Sequence, residues 1–422
     1  MATLPKIPEW VNLEHQVAQL LTNQEHYGWR FNERAAWELE STLRDELQQI
    51  ETALCRQFPL VPGAEFNPRR DNSTLGYVKG AQFTRLKDFN PGSRDHIAFI
   101  LSNYYQWKPT KLTPTGKPII DEVVLKEIGT EVSMKFLRLM TITKQLGFLS
   151  QGVNAWLKLC TNDRIHHHCS VGTVSHRCSH RSPNLAQVPS DSTFRKLFTA
   201  SPGQVMVGAD LSGIELRMLG HYLSRYDDGR YCDILLNGDI HQVNADAMGV
   251  SRREVKTISY AMLYGAGALK IGLTYDDQLS ETKAKKKGAE LQEAFISAID
   301  GYGSLLAAVK KAAERGYIKA IDGRQIEVAS PHKALNALLQ SSSAVIAKRW
   351  MLINQETINS TNIAARQLAF IHDELQFDCS KEHSEQLSTS LVFSAAAAGE
   401  YYNLRVPIGA EAKIGRDWSE VH

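Results

Sequence analysis

Hydrophobic positions along the chain keep helical spacing over most of its length. Val17, Leu20 and Leu21, then Trp37, Leu39, Leu43, Leu47 and Ile50, recur at three- and four-residue steps, which predicts an antiparallel helical pair across residues 11–57. Residues 59–91 lose that rhythm to Gly, Pro, Asn and Arg and read as an irregular basic loop. A second helical block covers about 92–160, broken by the excursion KPTKLTPTGKPIID at 108–121. Short strands alternate with polar loops over 164–210, and long helical patterns follow at 213–223, 251–264, 282–315 and 333–358. No internal repeat occurs. The fold class predicted is mixed α/β and helix-rich.

Two strand patterns end in acid. In QLAFIHDELQFDCS (367–380), Leu368, Phe370 and Ile371 lead into a turn and Leu375 and Phe377 lead out. A hairpin that only had to turn would use Asn-Gly or Asp-Gly. Here His372, Asp373 and Glu374 stand at the tip, where carboxylates beside an apolar sheet need partners. In QVMVGADLSGIELRMLGHYL (204–223), Val205 and Val207 alternate as a buried strand, Asp210 ends it, and a helix starts within three residues. Its apolar face would be Ile214, Leu216, Met218 and Leu219; the plain alternative for Asp210 is an N-cap of that helix. Were the two strands neighbours, Asp210 and Asp373 would face one spot, and two ionised carboxylates side by side call for a cation. Paired carboxylate oxygens suit Mg²⁺ and the two-metal geometry of phosphoryl transfer.

A third stretch, SRREVKTISYAMLYGAG (251–267), opens with a capping box, Ser251 and Glu254. Steps of four place Arg252, Lys256, Tyr260 and Tyr264 on one slowly drifting face about 18 Å long. Two cations near a helix start make an anion site, and two rings beyond them suit a sugar and a base. The opposite faces, with Val255, Ile258, Met262 and Leu263, belong to a core.

Composition alters this picture little. The chain has 422 residues, 43% hydrophobic and 22% charged, enough for two or three subdomains. A net charge of +2 neither demands nor excludes nucleic acid, since an acidic site can offset a basic channel. The six cysteines (Cys55, Cys160, Cys169, Cys178, Cys232 and Cys379) lack paired spacing, as in a reduced protein. The start, MATLPKIPEW, has no signal-like apolar core, and no run is long enough for a membrane span, so the expected location is the cytoplasm.

At DLSGIELR, RREVKTISYAMLYGAG and IHDE the sequence resembles the family A DNA polymerases, most of all the replicative polymerases of short-tailed bacteriophages. SHRCSHRSPNLAQVP (175–189), NGDIHQVNA (237–245), DGR (322–324) and SPHKALNALLQS (330–341) match the family's intervening signatures, from about residue 11 to the last. The resemblance implies a right-hand architecture: thumb 1–160 with the loop 59–91, palm 161–222 and 336–422, fingers 223–335. It implies that Asp210 and Asp373 hold two Mg²⁺ ions, for which Mn²⁺ can substitute, with the Leu211 carbonyl as a further ligand and Glu374 as an auxiliary. Arg252, Lys256 and His241 would grip a dNTP triphosphate, Lys256 also protonating the pyrophosphate. Tyr260 and Tyr264 would meet the sugar and the insertion site, and Glu215 would pack against C2′. Arg177, Gln340, His372, Gln187 and Asn336 would contact the primer-template DNA.

Three features depart from the family. The chain begins where the thumb begins, so an exonuclease domain is expected to be missing, or supplied by a separate polypeptide. The segment 59–91 is too short for the insertion that recruits a thioredoxin clamp, so that processivity factor is not expected. His176 stands where relatives carry Gly. The His/Cys-rich stretch 166–180 (His166, His167, His168, Cys169, His176, Cys178 and His180) fits no paired zinc spacing, and zinc is not expected there. KAKKK (283–287) reads as a solvated helix face and SAAAAGEYY (394–402) as a packing surface. Two rivals remain at this stage. A single-subunit RNA polymerase-like enzyme would lack the bulky Glu215, and an inactive DNA-binding subunit would lack a metal carboxylate.

Overall fold

The structure, a computed structural model, describes residues 7–276 and 279–422; the first six residues of the expected thumb lie outside them. The chain forms two compact units, one of residues 33–160 and one joining 1–32 to 161–422. Helices Glu9–Tyr27 and Glu33–Gln57 are both present, and they belong to different units. Trp37, assigned to the apolar stripe, is half exposed.

The smaller unit packs Leu54, Phe58, Ile97, Leu101, Phe136 and Leu139 into its own core. Residues 59–91 are not an irregular loop. Leu60–Phe66 and Phe83–Asp88 pair as an antiparallel hairpin with a bulge between Pro62 and Glu65. Its strength is aromatic: Phe66 meets Tyr77 edge-on at 5.2 Å, Tyr77 meets Phe83 at 4.9 Å, and the Arg85 guanidinium lies 4.7 Å over Phe66. Pro62 and Gly63 break the alternation that would have shown it.

The larger unit is built around one four-stranded antiparallel sheet. Its labelled elements are α1 (Glu9–Tyr27), the short hairpin strands β1 (His168–Ser170) and β2 (Ser179–Arg181), β3 (Gln204–Leu211), α2 (Ile214–Leu223), α3 (Arg252–Leu263), α4 (Ala334–Thr361), β4 (Ala365–Ile371), β5 (Glu374–Ser380), α5 (Ser384–Tyr401) and β6 (Ala410–Gly415). The sheet order is β4-β5-β3-β6, so β3 is central and β5 lies beside it. Val207, Ala209, Leu375 and Phe377 point into the core that α2, α4 and α5 cover with Leu219, Val345, Ile346, Leu387 and Leu391. The first helix docks on this unit through charge: Glu14 pairs with Arg324 and with the fully buried Lys348 at 2.7 Å, and Arg324 also holds Asp322 at 2.7 Å. Each of these charges has a partner, as burial demands.

The helical pattern at 282–315 is two helices, Glu281–Ala298 and Tyr302–Ala313, parted at Gly301 with φ 75°. No helix among the described residues is long and apolar enough to cross a membrane, and all six cysteines are free thiols.

Candidate active site

Register brings the two acidic strands together. On the central strand, Asp210 is the Cα partner of Glu374, the first residue of β5, and the Leu211 N–H donates to the Asp373 carbonyl at 3.0 Å. Asp210 is still in the strand, and Gly213, with φ 56°, occupies the N-cap of α2, so the capping alternative fails. Ile371 and Glu374 are partners, which leaves His372 and Asp373 as a two-residue turn. The first of them, His372, has φ 61°, a conformation that mirror-type hairpin turns require and that costs a non-glycine residue roughly 1–2 kcal/mol. The cost goes into aiming Asp373 at the strand end that carries Asp210.

The electrostatics follow from this crowding. Burial first, then Asp373 and Glu374, push the Asp210 carboxyl up to about 7, against a smaller opposing pull from His422. Asp210 as a residue is exposed at the rim, so its burial is that of a carboxyl flanked by protein with one side open to water. Burial likewise pushes Asp373 up to about 6, with Arg177 pulling the other way. Glu374 is differently placed. Its Oε1 accepts from Trp418 Nε1 at 2.6 Å and Gln376 Nε2 at 2.7 Å, and its Oε2 lies 2.9 Å from His422 Nδ1. Asp210 and Asp373 are therefore the open oxygen donors, and Glu374 is engaged by the protein itself. Sequence reasoning missed Trp418 and His422, because they reach the site from more than forty residues downstream.

A cavity of about 380 Å³ opens beside Asp210, lined by Ser212, Gly213, Glu411, Lys413 and His422. A larger cleft of about 630 Å³ sits at the opposite end of β4, against Asn359, Arg366 and Asp378. It is distant from the carboxylate pair and has no comparable chemistry.

The second cluster centres on Glu215, in the first turn of α2. Arg177 Nη2 donates to it at 2.5 Å, and the Tyr264 hydroxyl donates to both its oxygens at 3.1 and 2.9 Å. Burial and Glu215 together push the Tyr264 phenol up to about 12, so it stays a donor. Arg177 sits in the turn where His176 takes φ 59° and bonds Ser341 through Nδ1 at 2.6 Å. The left-handed position that a glycine would favour is kept, and a histidine fills it.

Helix α3 forms as its sequence predicts, with Ser251 and Glu254 completing the capping box. Lys256 is exposed on it. Arg252 is held by Asp239 at 2.6 Å, and the Tyr260 ring lies 6.2 Å from that of His241. Burial, then Glu215 and Asp373, raise the Tyr260 phenol, so its hydroxyl lies within electrostatic reach of both acids. Helix α3 ends at Leu263, and Asn336 donates to the Leu263 carbonyl at 2.9 Å, so this asparagine is spent on the helix end. Gln340 is half-buried on α4, and Gln187 is exposed on the short turn Leu185–Gln187.

An antiparallel sheet backed by helices, with two carboxylates at one strand end and a basic, aromatic helix nearby, is the arrangement of a template-directed nucleotide polymerase. The profile of DNA polymerase family A matches residues 75–420. The DNA-directed DNA polymerases of Enterobacteria phage T3 and Escherichia phage T7 are each 30% identical over 98% of this chain and 70% of their own length. DNA polymerase I of Pseudomonas aeruginosa is 28% identical over 80% of this chain and 39% of its own. Among solved structures, the polymerase domain of Pol1 from M. smegmatis, in complex with DNA primer-template and dNTP, superposes with a TM-score of 0.77 over 97% of this chain and 70% of that one, at 24% identity. The chain belongs to the family A DNA polymerases, and its fold is the right-hand fold of palm, fingers and thumb.

Proposed function

We propose that this chain extends a primer 3′-OH by template-directed addition of dNTPs, with Asp210 and Asp373 as its metal-binding carboxylates. The observation that carries the reading is the register that sets Asp373, on its strained turn, against the strand end of Asp210, both carboxyls raised by burial and crowding. The donor set fits Mg²⁺: hard oxygens on one open side, and no lysine or arginine among the described residues paired to either acid. When bound there, Mg²⁺ supplies charge neutralisation for the attacking and leaving oxygens of an in-line displacement, and Mn²⁺ suits the same oxygens. The Leu211 carbonyl, at the end of β3, is proposed as a further ligand. Glu374 is proposed as an auxiliary that becomes a ligand only by giving up Trp418 and Gln376 on one oxygen or His422 on the other.

The remaining residues position the substrates. Lys256 and Arg252 meet the triphosphate near the start of α3, where the dipole adds to their charge, and Lys256 gives a proton to the leaving pyrophosphate. Arg252 exchanges Asp239 for phosphate, and His241 completes the grip. Tyr260 faces the sugar. Glu215, braced by Arg177 and Tyr264, fills the space beside C2′. Arg177, His372, Gln340 and Gln187 face the primer-template, while Asn336 serves it by fixing the end of α3. In these terms the thumb is 1–160, the palm 161–222 and 336–422, and the fingers 223–335.

Primer extension on a defined template with Mg²⁺, dNTPs and rNTPs supplied separately, tests the reading. The expected result is extension with dNTPs that Asp210→Ala or Asp373→Ala lowers by about 10³-fold, since a metal contributes several kcal/mol to the transition state. DNA binding should be largely spared, because affinity resides in phosphate contacts elsewhere. Either variant retaining a few per cent of the rate would refute the assignment.

A further inference from the structure

The hairpin that carries Arg177 holds a group the polymerase reaction does not use. Strands β1 and β2 pair so that Cys169 lies opposite His180. His167, two residues before Cys169, shares its face by the alternation of an extended chain. One donor atom from each of His167, Cys169 and His180 lies within 4.8 Å of the other two, and the Cys169 sulfur is 3.1 Å from His180 Nδ1. His167 is wholly buried and Cys169 nearly so. The cluster faces α1, where Gln24 Nε2 lies 3.0 Å from His167 Nε2 and 3.5 Å from the sulfur.

Each imidazole spends one nitrogen on these contacts, His167 Nε2 on Gln24 and His180 Nδ1 on the sulfur, and the other two, His167 Nδ1 and His180 Nε2, are buried without a partner. Burial also holds His167 down to about 3 and His180 to about 4, so both imidazoles are in the ligand form at neutral pH. We propose that His167, Cys169 and His180 bind one zinc ion. Ligand atoms around a tetrahedral zinc stand about 3.3–3.8 Å apart, from bonds of about 2.0–2.3 Å, so closure needs shifts of about 1 Å. Two imidazoles and a thiolate suit zinc, and a site without oxygen donors does not suit Mg²⁺. The three residues leave the fourth position open. Binding converts the Cys169 thiol to thiolate, forming the metal–sulfur bond and releasing one proton per ion.

The ion would clasp β1 to β2 behind the catalytic turn. The His180 ring packs edge-on against His372 at 5.8 Å, and Arg177 lies three residues before His180 on the same hairpin. The spacing along the chain conceals the site, because Cys169 lies on β1, His167 just before it and His180 on the partner strand.

The test is metal binding by the full chain, stripped by chelator and then equilibrated with zinc at micromolar free concentration and Mg²⁺ in excess. The expected result is one zinc per chain, with release of one proton. Cobalt in its place should give the near-ultraviolet sulfur-to-cobalt band of a thiolate ligand. Both signals should be lost in Cys169→Ser and in His180→Asn, and kept in Asp210→Ala, which separates this site from the catalytic carboxylates. Should one variant fail to fold, the other decides. No zinc retained by the unmodified chain, or zinc retained by a folded Cys169→Ser, overturns the proposal.

Discussion

Tyr260 stands one turn beyond Lys256 on α3, and with phosphates at Lys256 as proposed, the sugar of the incoming nucleotide would reach its ring. A dNTP carries a 3′-OH that satisfies polar groups in the closed site, and a dideoxynucleotide does not. The phenol can take that place, an exchange worth roughly 1–3 kcal/mol, or one to two powers of ten in rate. The enzyme is therefore expected to accept dideoxynucleotides nearly as well as dNTPs, and Tyr260→Phe to discriminate against them about 10–100-fold. The ratio of kcat/KM for ddNTP and dNTP in both proteins checks this; an unchanged ratio sinks it. The place proposed for Glu215 is beside the neighbouring carbon. Its side chain is fixed by Arg177 and Tyr264 and so cannot swing away from a 2′-OH. Glu215→Ala should raise ribonucleotide incorporation relative to dNTP by about 10–200-fold, the range of a steric pocket contact. Equal discrimination in the variant and the parent protein would remove Glu215 from that role.

At the scale of elements, the segment proposed as fingers includes a pair of helices, Ala268–Tyr275 and Glu281–Ala298, that touch backbone to backbone. A Cβ built at Gly288 would lie 1.7 Å from the Ala268 carbonyl oxygen, and one at Gly272 would lie 1.8 Å from that of Ala284. Neither neighbour is a side chain that can move aside. Gly288→Ala should cost about 1–3 kcal/mol or more and lower the melting temperature by several degrees, read by thermal denaturation. A melting temperature equal to that of the parent would mean that the helices are free to part. Legibility varied sharply among such elements. Helix α3 could be read to within a residue because its capping box and its apolar face are local signals. The break at Gly301 was signalled by Asp300-Gly301 but masked by apolar periodicity on both sides. The hairpin at 60–88 was illegible because its strands contain Pro62 and Gly63 and are held by rings seventeen residues apart, Phe66 and Phe83. Asp210 and Asp373 stood out because each ends an alternating strand. The anchors of Glu374 and the pairing of Cys169 with His180 did not, since only the register of distant or facing strands creates them.

For the molecule as a whole, the chain is expected to leave a mispaired primer terminus intact. A two-metal nuclease needs a carboxylate cluster of its own, and the family A motifs matched here assign Asp210 and Asp373 to polymerisation. Incubating this chain with a mismatched primer and Mg²⁺, without dNTPs, checks the point; shortening that persists in Asp210→Ala would refute it. The position of α1 has a consequence of another kind, for synthesis. Its Glu14 is answered by Arg324 and Lys348, its Gln24 by Gln367 and its Tyr27 by Asp378. At about 5–20 residues per second, a ribosome reaches those partners roughly 20–70 s after making the helix. Residues 33–160, a compact unit contiguous in sequence, can fold in that interval. Helix α1 is thus made well before it can be buried, and for that time its apolar face, Leu13, Val17 and Leu21, stands open.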